Sequence, residues 1–220
     1  MRKSSFLVIL LMLSISISNS QDNRSENSQN SGFFLNVNGG ISLPLGQLSS
    51  GTTYIAFDPY INHSYVHVDW GLGWNAGGEV GYVFNNNIGT RVCFSYSKFP
   101  AKDITLQSIA LTGATGGSLS IFALGGDFMI GNFKKNSKIV RYGFLGPRAF
   151  FKSAEDATYL GHKIKMFHSE TEGGLSMGAG MNFNAAKRLG FSVESELNLG
   201  FGNHVVTQTL VLKAGVVFNF

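Results

Sequence analysis

The feature that most constrains this chain is an alternation with a repeat of two, carried to its last residue. In TLVLKAGVVFNF (209–220), Leu210, Leu212, Ala214, Val216, Phe218 and Phe220 share one parity, and Val211, Lys213, Gly215, Val217 and Asn219 the other. Two is the side-chain period of a β-strand, so this segment is a strand with one apolar face and one face bearing a lysine. Seven further segments read the same way, and no convincing helix separates them. They are GFFLNVNGGISL (32–43), WNAGGEVGYVF (74–84), IGTRVCFSYS (88–97), SLSIFALGGDFMIG (118–131), Ile139 to about Phe151, GLSMGAGMNF (174–183) and LGFSVESELNLGF (189–201). In the fifth, Val140, Tyr142 and Phe144 are read as the apolar face, opposite Arg141 and Gly143. Pro147 and Arg148 are expected to mark a bulge or strand end there.

The connections alternate in length. Those after the second, fourth and sixth segments are short, at NNN (85–87), NFKKNSK (132–138) and NAAKR (184–188). Those after the first, third and fifth are long, at 44–73, 98–117 and roughly 152–173, and the one around GNHVV (202–206) is modest. Short turns at one end and long loops at the other are the up-and-down pattern of a membrane barrel with periplasmic turns, and an even strand number puts both chain ends on the turn side.

Eight alternating strands also suit a soluble lipocalin-type barrel, with its oily face inward around a ligand. The polar parity decides between the two. It carries Glu79, Arg91, Asp127, Arg141, Glu194, Glu196 and Lys213 among many Gly, Ser and Asn residues. A water-facing surface is rich in Lys and Glu; small residues with a few opposite charges suit the cramped inside of an eight-stranded tube. Charged residues are 14% of the chain, against about 25% in an ordinary soluble domain. Its 28 glycines in 220 residues exceed the usual ~7%, with no collagen-like period. Asp127 with Arg141, Glu79 with Arg91, and Glu194 and Glu196 with Lys213 are expected to pair across hairpins inside the lumen, since a buried charge without a partner is costly by several kcal/mol. Aromatics near segment ends, Phe33, Trp74, Phe84, Tyr96, Phe183 and Phe201 among them, fit interfacial girdles.

The chain opens MRKSSFLVILLMLSISISNSQ, with a basic start, an apolar run from Phe6 to Ile17 and a small-residue exit. The run falls short of the ~20 residues of a membrane helix and reads as a cleaved secretory signal over 1–20. A polar leader (21–31) and the barrel domain (32–220) follow. Subtracting Arg2 and Lys3 from the formal net charge of +4 leaves about +2, so no nucleic-acid partner is implied. Cys93 is the single cysteine, which excludes a disulfide framework within the chain.

The signal segment, the eight strands, GLSMGAGMNF followed by LGFSVESEL, and a last strand ending VVFNF resemble the outer-membrane β-barrel family: small OmpA- and OmpX-type barrels and the porin-family proteins common in Bacteroidetes. The resemblance implies an eight-stranded antiparallel transmembrane barrel in the outer membrane of a Gram-negative bacterium, in contact with membrane lipid and lipopolysaccharide. It also implies that Phe218 and Phe220 are read by the barrel-assembly machinery.

Chemistry-bearing motifs are few. HSYVHVDW (63–70) sets two histidines four apart, but on extended backbone that is about 13 Å, too far for one ion. His67 and Asp69 can share a face. FHSET (167–171) places His168 beside Ser169, but neighbours on a strand point to opposite faces and cannot pair as base and nucleophile. The aromatic stretch 52–70 reads either as a recognition surface or as a hairpin above the membrane. Lys134, Lys135, Lys138, Lys187 and Arg188 read as solvated turn residues. No catalytic, cofactor or metal set is expected. The expected role is structural, or the binding of an extracellular ligand through the long loops. The alternatives are an outer-leaflet lipid-modifying enzyme, with His168 or His204 as base, and a small-solute conduit.

Overall fold

Strand pairing in this protein closes on itself. The computed structural model describes residues 31–49, 52–58, 61–106, 109–134, 137–164, 169–186, 188–202 and 206–220; the proposed signal (1–20) and nearly all of the leader lie outside these. Twelve strands are present among the described residues: β1 (Gly32–Pro44), β2 (Thr52–Asp58), β3 (Ile61–Trp70), β4 (Gly73–Val83), β5 (Ile88–Leu106), β6 (Ile109–Ala110), β7 (Thr115–Gly131), β8 (Ile139–Tyr159), β9 (His162–Ile164), β10 (Glu170–Asn184), β11 (Leu189–Phe201) and β12 (Gln208–Asn219). Eight of them, β1, β4, β5, β7, β8, β10, β11 and β12, form an antiparallel ring in which β12 pairs back onto β1. The fold is all-β, and the barrel is eight-stranded.

The register sets its dimensions. Ladder partners followed once round from Arg141 pass through Met181, Val193, Ala214, Gly39, Ala76, Tyr96 and Phe122 and return to β8 at Phe151, ten residues further along. With ~3.3 Å per residue and ~4.8 Å between strands, that stagger over eight strands requires a tilt of about 41° and a backbone radius of about 8 Å. Such a tube holds side chains and little else.

Side chains sort by parity. Val80, Val92, Phe94, Leu124, Phe128 and Leu145 all face outward, each about half exposed. This belt is edged by aromatics at both ends. At the short-turn end Phe33 packs on Tyr82 (4.7 Å between centroids) and Tyr82 on Phe84 (5.2 Å); at the other, Trp74 packs on Tyr96 (5.4 Å) and Phe122 on Phe151 (6.0 Å). An apolar band with aromatic rims is the surface of a barrel solvated by lipid.

The inside is stacked in three layers. Phe34, Met129, Phe133, Val140, Tyr142 and Phe144 fill the short-turn end. Charged residues occupy the middle. Phe99, Leu119, Ile121 and Phe150 fill the long-loop end, where Val66, Val68 and Trp70 of β3 and Leu48 close over them. β3 reaches this position because β5, 19 residues long, runs past the belt and offers Ala101–Leu106 as a pairing edge. The segment 52–70 is therefore a β2–β3 hairpin added to the wall beyond the membrane belt.

Seven segments show the expected parity, and β8 is inverted. Val140, Tyr142 and Phe144 point inward, while Ile139, Arg141 and Leu145 point out. The strand also does not end or bulge at Pro147. Its pairing with β7 lapses between Leu145 and Arg148, where Pro147 has no N–H to give, and resumes in the same register through to Thr158.

Candidate functional site

The middle layer is one connected ionic cluster. Arg91 on β5 is fully buried and lies at its centre. Its Nε donates to Asp127 Oδ2 (2.7 Å), and its Nη1 donates to Glu79 Oε2 (2.6 Å) and Glu194 Oε1 (2.7 Å). The guanidinium carbon sits 4.0 Å above the ring centre of Phe144, a cation–π contact. Lys213 on β12 bridges three carboxylates, at 2.8 Å to Glu79, 3.1 Å to Glu194 and 2.7 Å to Glu196. Arg148 on β8 grips Asp127 with both terminal nitrogens (2.6 and 3.0 Å) and reaches Glu196 at 3.4 Å.

Four carboxylates face three cations, and neutral donors take up the remainder. Asn36 and Asn38 donate to the two oxygens of Glu79 (3.2 and 3.1 Å), Ser176 to Glu196 (2.8 Å), and the Tyr142 hydroxyl to Glu194. Glycines make room for this packing. A Cβ on Gly180 would lie 2.7 Å from the Tyr142 hydroxyl, and one on Gly178 only 2.5 Å from the Phe144 ring. The GLSMGAGM run of β10 is the flat wall on which the two rings lie.

Six of the seven residues expected in the lumen, Glu79, Arg91, Asp127, Glu194, Glu196 and Lys213, meet in this cluster. Arg141 does not. It stands opposite Asn132 at the foot of β8, on the outward parity, and is exposed. The expected pairing of Asp127 with Arg141 across the 132–138 turn fails because the register sets Asp127 level with Gly146, so the inward arginine beside it is Arg148. Arg148, Tyr142 and the second buried group, Lys152 with Glu172 (3.1 Å) and Glu170 (3.0 Å), escaped the sequence reading. A signal for them existed: Arg148 and Lys152 continue the parity of Tyr142 and Phe144 beyond Pro147.

No reactive arrangement stands beside the cluster among the described residues. The Cys93 thiol is buried and points at Gly125 O (3.6 Å) and Asp127 Oδ2 (3.7 Å), with apolar layers above and below. His67 Nε2 lies 3.7 Å from Asp69 Oδ1 on the same face of β3. Among the described residues no group of His, Cys, Asp and Glu is arranged to hold a metal. His168, His204, Lys135 and Lys187 lie outside the described residues. Phe218 and Phe220 face outward at the short-turn rim, where Phe220 N donates to Phe33 O (3.0 Å).

No protein-family model and no curated protein matches the sequence. Solved structures do match. Neisserial surface protein A aligns with a TM-score of 0.50 at 16% identity, over 87% of this chain and 99% of its own. A major outer membrane protein from Thermus thermophilus aligns with a TM-score of 0.53 at 12% identity, over 86% of this chain and 99% of its own. At these identities the likeness is one of fold. Together with the aromatic-edged belt and the ionic lumen, it identifies the chain as an eight-stranded membrane β-barrel of the outer-membrane type.

Proposed function

We propose that this protein is an integral outer-membrane protein of a Gram-negative bacterium, exported on a cleaved signal (1–20), that presents a tall extracellular sheet as an interaction surface. The reading is carried by one observation: β5, β7 and β8 run well past the upper aromatic rim, and the β2–β3 hairpin widens that wall instead of adding a strand to the barrel. A barrel built only to seal itself needs no such wall. The outward Lys98–Glu155 pair (2.9 Å), with Ser118 also bound to Glu155 (2.6 Å), lies just beyond that rim, at the depth of lipopolysaccharide headgroups.

The role is structural or surface-interacting, and the ion-paired groups of the lumen serve to hold the barrel together between its apolar layers. Phe218 and Phe220 serve as the assembly signal. The test is epitope insertion in the 50–51 connection, followed by labelling of intact cells. Surface labelling, with the protein in the detergent-extracted membrane fraction, is expected. Detergent-free solubility, or a tag reached only after permeabilisation, overturns the proposal. His168→Ala and His204→Ala variants are expected to leave the cell's lipid A profile unchanged.

A further inference from the structure

The cations of this barrel are distributed unequally between its two ends. Beyond the upper rim three lysines come with acids, Lys98 with Glu155 (2.9 Å), Lys102 with Asp103 (3.9 Å), and Lys152 with Glu170 and Glu172, while Lys163 on β9 stands exposed. At the short-turn end the cations come without acids nearby in the chain. Residues 128–147 hold Lys134, Lys135, Lys138 and Arg141 with no Asp or Glu, and residues 180–193 hold Lys187 and Arg188 with none.

These two stretches are neighbours in space. Asn184 joins their turns by its N–H to Lys138 O (2.9 Å) and its Nδ2 to Ser137 O (2.8 Å), while Asn219 N donates to Arg188 O (2.9 Å). The third short turn, Asn85–Asn87, carries no charge, so among the three short turns the cations lie on the two that adjoin.

Arg141 makes this more than a solvated turn. It is exposed on the lipid-facing parity of β8, with Met181 as its ladder partner and Ile139 two residues below. A guanidinium at such a depth is tolerated near the interface because its long stem lets the charge reach the headgroup plane, where its planar fork matches a phosphate. Lys134, Lys138 and Arg188, all exposed, lie on the two adjoining turns beside Arg141.

We infer that the short-turn rim along β7, β8, β10 and β11 is a binding site for anionic phospholipid, with Arg141 gripping the phosphodiester and Lys134, Lys138 and Arg188 supplying its field. Such a contact fixes the depth of the barrel and gathers acidic lipid in the leaflet on that side. The site rests on the proposed membrane orientation.

The test reconstitutes the full mature chain in phosphatidylcholine nanodiscs doped with phosphatidylglycerol, then counts retained lipids by native mass spectrometry. Wild type is expected to retain phosphatidylglycerol above its bulk share. Arg141→Gln should lower that enrichment about fivefold, the effect of one cation near an anionic surface. Adding Lys134→Gln, Lys138→Gln and Arg188→Gln should abolish it, while Lys98→Gln with Lys102→Gln leaves it intact. Unchanged enrichment in the quadruple variant, or equal loss in the upper-rim control, overturns the site; so does capture of peptidoglycan fragments without lipid preference. A wild-type chain that does not enter nanodiscs, with no heat-modifiable gel shift, overturns the membrane reading itself.

Discussion

Arg141 and Arg148 are seven residues apart on one strand and have opposite fates. Arg148 is buried against Asp127 and Glu196, and Arg141 faces lipid at the rim. Removing Arg148 leaves Asp127 with Arg91 as its remaining ion-pair partner in a tube without bulk water. Arg148→Gln is therefore expected to destabilise the barrel by about 3–5 kcal/mol, the usual consequence of breaking a buried pair from one side. Arg141→Gln, which breaks no such pair, should change stability by less than about 0.5 kcal/mol. Urea unfolding in detergent micelles measures both. Equal effects would mean that the two arginines are not divided between lumen and lipid as described.

At the scale of elements, strand β8 is the instructive case. Most strands have one plainly apolar parity, so alternation assigns their faces: on β7, Phe122, Leu124, Phe128 and Ile130 are outside and Asp127 inside. In β8 both parities are apolar near the short-turn end, with Ile139 and Leu145 on one and Val140, Tyr142 and Phe144 on the other. Composition alone does not orient such a strand. Its neighbours do, because the odd-numbered inward residues of β7 and the β7–β8 register force even-numbered residues inward on β8. Leu145 is then lipid-facing near mid-membrane. Leu145→Arg is expected to cost about 2–4 kcal/mol in a bilayer, read from the unfolding midpoint in lipid vesicles, whereas a water-facing site would leave it near zero.

For the whole molecule, the layers act in series. The aromatic plug with Phe133 stacked on Tyr142, the ionic cluster and the Phe99–Leu119–Phe150 cap must all be displaced before an ion can pass. Planar-bilayer recordings are expected to show no sustained conductance in the wild type, and Phe133→Ala alone should not create one, since two layers stay closed. A steady open level in either would refute the sealed lumen.

The alternating faces of every barrel strand but β8, the strand order, the unequal connections and the presence of a charged interior were legible in the linear chain, because a period of two and the preference of ions for company are local properties. The identity of the third cation was not. Which arginine joins Asp127 depends on a register shared by two strands and on a proline whose missing N–H only interrupts the ladder. The sequence of 52–70 likewise suits either a recognition loop or a hairpin, and the edge that β5 offers to β3 decides for the hairpin. Pairing between distant segments is decided by closure of the whole ring, where all eight registers must agree at once, and no single segment contains that condition.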